Sequence, residues 1–329
     1  MHRESTAVRT EFNPVARAVA HGLAQRPRRL PPWLFYDQRG SELFEDITAL
    51  PEYYLTRAEA ELFATHGAEL MAAAAADAPA TVIELGAGTA TKTQVLLRAL
   101  VARQGPVTFV PVDVSATPLE AARTRLAAEE PEVKVWPWVS THDDAFPRLR
   151  GLGGRKIALF IGSSIGNYDD GEALELLRGL RHGLTAGDAL VLGTDLRKDP
   201  EVLVRAYDDA AGVTAAFNKN VLTRINLELG GHFNLDCFRH VAVWNPAASR
   251  MEMHLESVGE QAVRIDGLGM IVRLHDGERI HTESSVKYDE AMVERLLAAS
   301  GYRRERTFTD AEGRFAVHLA RAIGAPFVT

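Results

Sequence analysis

Five short apolar runs, set apart by segments of helical spacing, constrain this chain most. They lie at 81–85 (TVIEL), 107–114 (VTFVPVDV), 133–140 (VKVWPWVS), 156–163 (KIALFIGS) and 189–196 (ALVLGTDL). Each is rich in Val, Ile, Leu or Phe and lacks a strict apolar–polar alternation. Strands covered on both faces read this way, because neither face meets water. Between the runs, 92–103, 118–128 and 172–184 carry apolar residues at helical spacing. Strand and helix in alternation predict an α/β fold with a doubly wound, mostly parallel sheet.

The ladder has flanks. Thr56 and Glu59 read as a capping box, hydroxyl at the cap and carboxylate three residues on, opening a helix that runs to about Ala75. Residues 290–300 read as a helix stopped at Gly301. Residues 303–309 and 314–320 then read as two strands joined by the turn 310–313. Two stretches stand outside this pattern: the first 55 residues, and 197–281. We expect them to form a second, smaller domain over the ligand site, which in such sheets lies at the carboxyl ends of the strands. The expected division is a Rossmann-like core of 57–196 with 287–329, and a second domain of 1–56 with 197–286.

Composition narrows the function classes. The 329 residues carry a net charge of -7, which gives no electrostatic reason to bind nucleic acid. The single cysteine, Cys237, forms no internal disulfide and no cysteine metal cluster, which suits a reducing cytosol. The opening MHRESTAVRTEF lacks the apolar core of a secretory signal. The longest apolar stretch, 70–80, is mostly alanine and is broken by Asp77, so it reads as a helix and not as a membrane span. The 11 histidines are scattered without metal-ligand spacing. The expectation is a cytoplasmic protein with a small-molecule substrate, no metal, no membrane and no nucleic acid.

The sequence Glu84-Leu85-Gly86-Ala87-Gly88-Thr89 follows the first run and precedes a helix. Glycines there let the backbone turn tightly and approach a ligand. The third glycine of the dinucleotide fingerprint would fall at Thr91, which argues against a pyrophosphate site for NAD or FAD. Asp113 ends the second expected strand, where a carboxylate accepts from both hydroxyls of a ribose. An acid, Gly-x-Gly and a second-strand acid form the common pattern for S-adenosylmethionine. Lys92 is placed to reach that cofactor's methionine carboxylate, although a helical lysine read alone is a solvated surface residue. Beyond the third run, Asp143 or Asp144 is a candidate for the adenine amino group; the same loop also reads as a helix cap.

Longer strings carry a family resemblance. LPPWLFYD at 30–37, LPEYYLTR at 50–57, GSSIGN at 162–167, GTDL at 193–196, RAYDDAAGVT at 205–214 and TESS at 282–285 are similar to the histidine Nα-methyltransferases of ergothioneine biosynthesis. The resemblance spans about Leu30 to Arg321. It implies a Rossmann-like methyltransferase core with a separate substrate-binding domain, and trimethylation of histidine to hercynine. It implies that Tyr53 and Asn167 hold the substrate carboxylate and that Glu283 and Ser285 hold the imidazole. Tyr36 would stand beside the amino group, as the catalytic candidate. Phe44, Tyr207 and Met253 would complete the pocket. Gly86, Gly88, Lys92, Asp113 and one of Asp143 or Asp144 would hold the cofactor. Where the family shows a compact Gly-Asp-Phe after the third strand, this chain carries extra polar residues, which leaves the adenine contact open.

The residues themselves agree with that chemistry. Glu283 and Ser285 stand two apart in an expected strand, 280–286, and residues two apart share a strand face. A carboxylate accepts from one imidazole N–H while a hydroxyl serves the other nitrogen, a pairing an indole has no second nitrogen to use. Asn167, expected at the end of the fourth strand, has an NH2 group to offer a carboxylate. Tyr36 and Phe44 present aromatic faces to a methylated ammonium, about 0.5–2 kcal/mol each. Two other readings remain open at this point. One is Nα-methylation of another aromatic amino acid such as tryptophan. The other is a non-catalytic S-adenosylmethionine-binding protein.

Overall fold

The computed structural model describes residues 13–324. The chain divides into two compact units, Met1–Tyr54 with Lys198–Ser285, and Leu55–Arg197 with Val286–Thr329. In chain order the first segment holds a helix Pro14–Ala24, strand β1 (Arg28–Arg29) and a helix Gln38–Ala49. A helix Leu55–Ala75 opens the second segment. Strands β2 (Ala80–Leu85), β3 (Val107–Asp113), β4 (Val133–Val135), β5 (Trp138–Val139), β6 (Arg155–Phe160) and β7 (Ala189–Asp195) follow. Helices Gln94–Gln104, Ala116–Glu129 and Asp170–Gly183 lie among them. The third segment contains helices Pro200–Tyr207 and Val213–Leu229 and strands β8 (Phe238–Asn245), β9 (Arg250–Ser257), β10 (Gln261–Ile265), β11 (Met270–Leu274) and β12 (Arg279–Val286). A helix Glu290–Ala299 and strands β13 (Tyr302–Thr309) and β14 (Phe315–Ala322) close the described chain.

The Leu55–Arg197 unit is built on one sheet, ordered β13-β14-β7-β6-β2-β3-β4, with β5 also paired to β3. Strands β7, β6, β2 and β3 run parallel, and the β13–β14 hairpin adds antiparallel to β7. The fold is thus α/β with a Rossmann-like doubly wound sheet. Successive residues of each strand feed two different cores. Val82, Phe109, Leu159 and Val191 pack on one face with the Leu55–Ala75 and Gln94–Gln104 helices. Ile83, Val110, Phe160 and Leu192 pack on the other with the Asp170–Gly183 and Glu290–Ala299 helices. This is why the runs lack alternation. The strand order reverses between β2 and β6, so their carboxyl ends flank the crevice where such sheets take ligands.

Three local expectations are corrected. The run 133–140 is two short strands, because Pro137 brings no N–H to a ladder and follows Trp136, whose own N–H goes to the Phe109 carbonyl at 2.8 Å. The helix expected to be capped by Thr56 begins at Leu55, so Thr56 lies inside its first turn and is not the cap. Glu59, the other half of that box, is fully buried and serves a different purpose, described below. Asn167 does not end the fourth strand: β6 stops at Phe160, and Asn167 is the last residue of a 3-10 turn, Ser164–Asn167.

The other unit carries a four-stranded sheet, β1-β12-β9-β8, and a separate β10–β11 hairpin. Its central helix, Val213–Leu229, starts where Asp209 accepts the Val213 and Thr214 amides at 3.0 and 2.7 Å. It stops at Gly230, whose left-handed backbone ends the helix. Among the described residues no helix is long and apolar enough to cross a membrane.

Candidate functional site

The carboxyl ends of the parallel strands gather the expected cofactor residues. Gly86 and Gly88 follow β2 with φ of +67° and +50°, a region side chains disfavour, and an added Cβ at either would meet nothing within 4 Å. The turn is therefore glycine for its backbone and leaves open space above it. Asp113 ends β3 and pins this turn from the side. Its Oδ2 accepts the Gly88 amide at 3.0 Å and its Oδ1 accepts the Ser115 amide at 2.9 Å. Each oxygen keeps a further lone pair for a ligand hydroxyl.

Beneath the turn, Glu84 is the last residue but one of β2. Burial pushes its carboxyl up to about 8, against the opposing effect of the nearby Thr93 hydroxyl and the charge of Lys92. Its Oε2 is a buried polar atom with no partner among the protein's own groups. Such an orphan in a native fold asks for a ligand or water. A carboxyl beneath a glycine turn suits the ammonium of an amino-acid tail, so the residues present fit S-adenosylmethionine.

Lys92 sits in the turn ahead of the Gln94–Gln104 helix, with its ammonium 2.6 Å from Glu59 Oε2. The other Glu59 oxygen accepts the Gly162 amide at 2.6 Å. A fully buried carboxylate on the Leu55–Ala75 helix thus ties the β2 turn to the end of β6. Sequence reasoning missed this, having read Glu59 as a capping residue. After β5, Thr141 caps the next turn: its hydroxyl accepts the Asp144 amide at 3.3 Å and donates to Asp144 Oδ2 at 2.9 Å. Asp144 is therefore engaged in the cap. His142, beside them, is held neutral by burial between the rings of Phe146 and Phe160. Asn167 belongs to this same unit and is half-buried.

The other unit brings most of the expected substrate residues into one chain of contacts. Tyr36 meets Phe44 edge-on, centroids 5.7 Å apart; Phe44 meets Tyr53 at 6.2 Å; Tyr53 meets Tyr207 at 6.4 Å. The Tyr207 hydroxyl donates to Ser285 Oγ at 2.8 Å. Ser285 is buried and Glu283, two residues earlier on β12, is half-buried. Met253 is buried on β9, and its carbonyl accepts from the Thr282 hydroxyl at 3.0 Å.

Sequence reasoning missed the hub of this cluster. Phe217, on the Val213–Leu229 helix, touches Phe35, Tyr36 and Phe44 at centroid distances of 4.6, 5.8 and 6.0 Å. The same helix holds the loop that carries Tyr36. Asn220 donates to Asp37 Oδ1 at 2.8 Å, and Arg224 donates to the Leu34 carbonyl at 3.0 Å. The signal available was Phe217 followed by three consecutive polar residues, Asn218-Lys219-Asn220, within a helix. Among the described residues no group of three His, Cys, Asp or Glu is arranged to hold a metal.

A family model described as histidine-specific methyltransferase, S-adenosylmethionine-dependent, matches residues 15–322. Histidine N-alpha-methyltransferase of Mycobacterium tuberculosis is 45% identical over 304 residues, covering 92% of this chain and 94% of that protein. Ergothioneine biosynthesis protein 1 of Neurospora crassa is 31% identical over 300 residues, 86% of this chain but 32% of that one. A 4-dimethylallyltryptophan N-methyltransferase of Epichloe festucae var. lolii is 26% identical over 313 residues, 89% of this chain and 90% of that one.

Proposed function

Because the chain belongs to the histidine-specific, S-adenosylmethionine-dependent methyltransferase family, we propose that it methylates the α-amino nitrogen of free histidine, three times, to give hercynine for ergothioneine synthesis. The observation that carries the reading is the Tyr207–Ser285 hydrogen bond on the strand that also bears Glu283. It sets a hydroxyl and a carboxylate on one strand beside an aromatic cluster, which is what an imidazole with two different nitrogens needs.

In this reading 57–196 with 287–329 serve the cofactor, and 1–56 with 197–286 serve the substrate. Gly86, Gly88 and Asp113 hold the ribose side. Lys92, anchored on Glu59 beside the glycine turn, takes the methionine carboxylate. Of the two aspartates, Asp143 takes the adenine amino group, because Asp144 is engaged with Thr141. S-adenosylmethionine supplies an electrophilic methyl on a sulfonium. The protein must present the amine with its lone pair in line with that methyl and exclude water.

Only a neutral amine has the lone pair, so each transfer releases one proton, and removal from water favours the neutral form. Tyr53 and Asn167 hold the substrate carboxylate. Tyr36, in edge contact with Phe44 and Phe217, orients the amine, and the same rings stabilise the growing cation. The substrate is a free amino acid in the cytoplasm, and neither a nucleic acid nor a membrane takes part.

The test is incubation of the purified protein with S-adenosylmethionine and each of the twenty amino acids, followed by mass. Mono-, di- and trimethylated histidine with little else is expected. Tryptophan methylation instead would keep the cofactor reading and discard the imidazole one. No transfer with the cofactor still bound would point to a non-catalytic binding protein. Replacing Glu283 by leucine should weaken histidine turnover and relax selectivity; intact histidine turnover in that variant would remove Glu283 from the imidazole site.

A further inference from the structure

Behind Tyr207 and Ser285 lies a buried ring of hydrogen bonds that the reaction does not use directly. His240, on β8, places Nε2 2.8 Å from the Tyr207 carbonyl. Its Nδ1 lies 2.8 Å from Asn218 Nδ2. That same NH2 group reaches the His254 carbonyl at 3.0 Å. At its other end, Asn218 Oδ1 accepts from the Thr282 hydroxyl at 2.7 Å. Thr282 stands three residues before Ser285 on β12, and Ser285 bonds the Tyr207 hydroxyl. The circuit thus closes: Ser285, Tyr207, His240, Asn218, Thr282 and back along one strand. Asn218 is 0% exposed, and the His240 side chain 3%.

The proton positions in this ring follow from its fixed members. The His254 carbonyl only accepts, so the nitrogen end of the Asn218 amide must face it. The second hydrogen of that NH2 then goes to His240 Nδ1, which must be unprotonated. The imidazole is therefore neutral with its proton on Nε2, facing the Tyr207 carbonyl, which again only accepts. In this arrangement the one hydrogen of the Thr282 hydroxyl is shared between Asn218 Oδ1 and the Met253 carbonyl. The Tyr207 carbonyl belongs to the last residue of the Pro200–Tyr207 helix, one of the carbonyls a helix end leaves without an intrahelical donor. His240 meets that need and ties the helix end to the sheet.

We propose that His240 and Asn218 are positioning residues for the amino-acid substrate, setting Tyr207 and the 282–285 segment of β12 at a fixed separation. The proposal rests on the histidine reading above. Side chains that grip two nitrogens of one ring must be held to within about 0.5 Å, and these bonds add to the pairing of β12 with its neighbours in the sheet. His240 fixes the backbone from which Tyr207 projects. Asn218 fixes the strand residue adjacent to Glu283. Neither touches the substrate in this scheme.

The test uses the full chain, four single variants (His240→Leu, His240→Gln, Thr282→Val and Ser285→Ala) and the His240→Leu/Ser285→Ala double variant. Kd for S-adenosylhomocysteine, and KM and kcat for histidine, are measured for each. His240→Leu and Thr282→Val should raise KM for histidine at least tenfold, with kcat changed less and the S-adenosylhomocysteine Kd within twofold of wild type. His240→Gln, whose amide can still donate to the Tyr207 carbonyl, should recover most of the loss. The His240→Leu/Ser285→Ala double variant should be little worse than Ser285→Ala, since both break one circuit.

A KM within twofold of wild type in His240→Leu and Thr282→Val would overturn the proposal. So would a parallel loss of S-adenosylhomocysteine binding without rescue by glutamine, which marks a purely structural role. If His240→Leu does not fold, Thr282→Val, a hydroxyl-for-methyl exchange, decides alone. Wild-type turnover of histidine is a separate control. Its failure removes the histidine reading, and the ring is then judged on the variant-to-wild-type ratio with whichever amino acid is methylated.

Discussion

Replacing Glu84 by glutamine should make the protein more resistant to alkaline destabilisation while weakening its hold on the cofactor. Glu84 is fully buried with one carboxyl oxygen unpaired, and burial raises its pKa from 4.5 to about 8. A carboxyl whose pKa is higher in the folded state holds its proton more tightly when folded. The stability this confers is complete below about pH 4.5 and is lost as the pH rises through 8. Linkage over those two values gives a loss of about 3 kcal/mol between pH 6 and pH 9 from this one group. Glutamine has the shape of the protonated acid and no proton to lose, so the variant should lack that part of the decline. Urea unfolding at pH 6, 7.5 and 9, followed by tryptophan fluorescence, compares the two; Trp136 and Trp138 report from the same unit. Wild type should lose about 3 kcal/mol more than Glu84→Gln over this range. The ligand half of the prediction has the opposite sign. An ammonium placed against Glu84 favours the carboxylate, so wild type should bind S-adenosylhomocysteine more tightly as the pH rises toward 8, releasing a proton on binding there, and level off above it. Calorimetry in two buffers of different ionisation enthalpy reads that proton, and the variant should show none from this site. Parallel stability curves for the two proteins, or equal proton release, would refute the assignment of a buried, protonated Glu84.

Three further outcomes are expected. Gly193→Ala would place a Cβ 3.0 Å from Glu59 Oε1 and 3.2 Å from Ile161 Cα; it should cost about 1–3 kcal/mol in urea unfolding and weaken S-adenosylhomocysteine binding, and a stability within 0.5 kcal/mol of wild type (about the scatter of a harmless surface change) would show that the buried carboxylate has room. Asp144→Ala should lower stability by about 0.5–1 kcal/mol through the lost Thr141 bond with little change in cofactor affinity, whereas Asp143→Ala should do the reverse; calorimetry and unfolding on both variants separate them, and affinity loss at Asp144 alone would exchange the two roles. His318, between Thr194 and Thr307, is lowered by burial to about 4, so its contribution is complete above pH 6.5 and lost as the pH falls toward 4, about 3 kcal/mol at most; His318→Asn should flatten that acid decline, and an unchanged slope would place the acid sensitivity elsewhere.

The sheet was legible from sequence because its strands are buried on both faces. A strand such as Ala80–Leu85 is buried at every position, and no other common environment produces six such residues between a helix and a glycine turn. Asp113 was legible for the same reason: it is the first acid after a run of apolar residues, and β3 ends on it. What failed was local. Pro137 breaks a run of mostly strand-favouring residues, since its missing N–H outweighs their propensity. Thr56 carries the cap signature inside a helix that starts earlier. Asn167 falls seven residues beyond β6, because a positive φ at Ser163 turns the chain into a 3-10 segment that strand patterning does not register.

The sequence by itself determined the α/β class, the order of the parallel strands' elements, the glycine turn and the acids that flank it. These depend on neighbours in the chain, and periodicity and spacing report neighbours. Only the tertiary structure decided what holds the site residues. Glu59 meets Gly162 across 103 residues, and Tyr207 meets Ser285 across 78. His240 joins Asn218 and Tyr207 from a third element. A hydrogen bond of this kind needs two groups within about 3 Å, and that proximity arises only when the sheets have packed. In the sequence the same residues are a glutamate that reads as half of a capping box, an asparagine, and one of eleven scattered histidines.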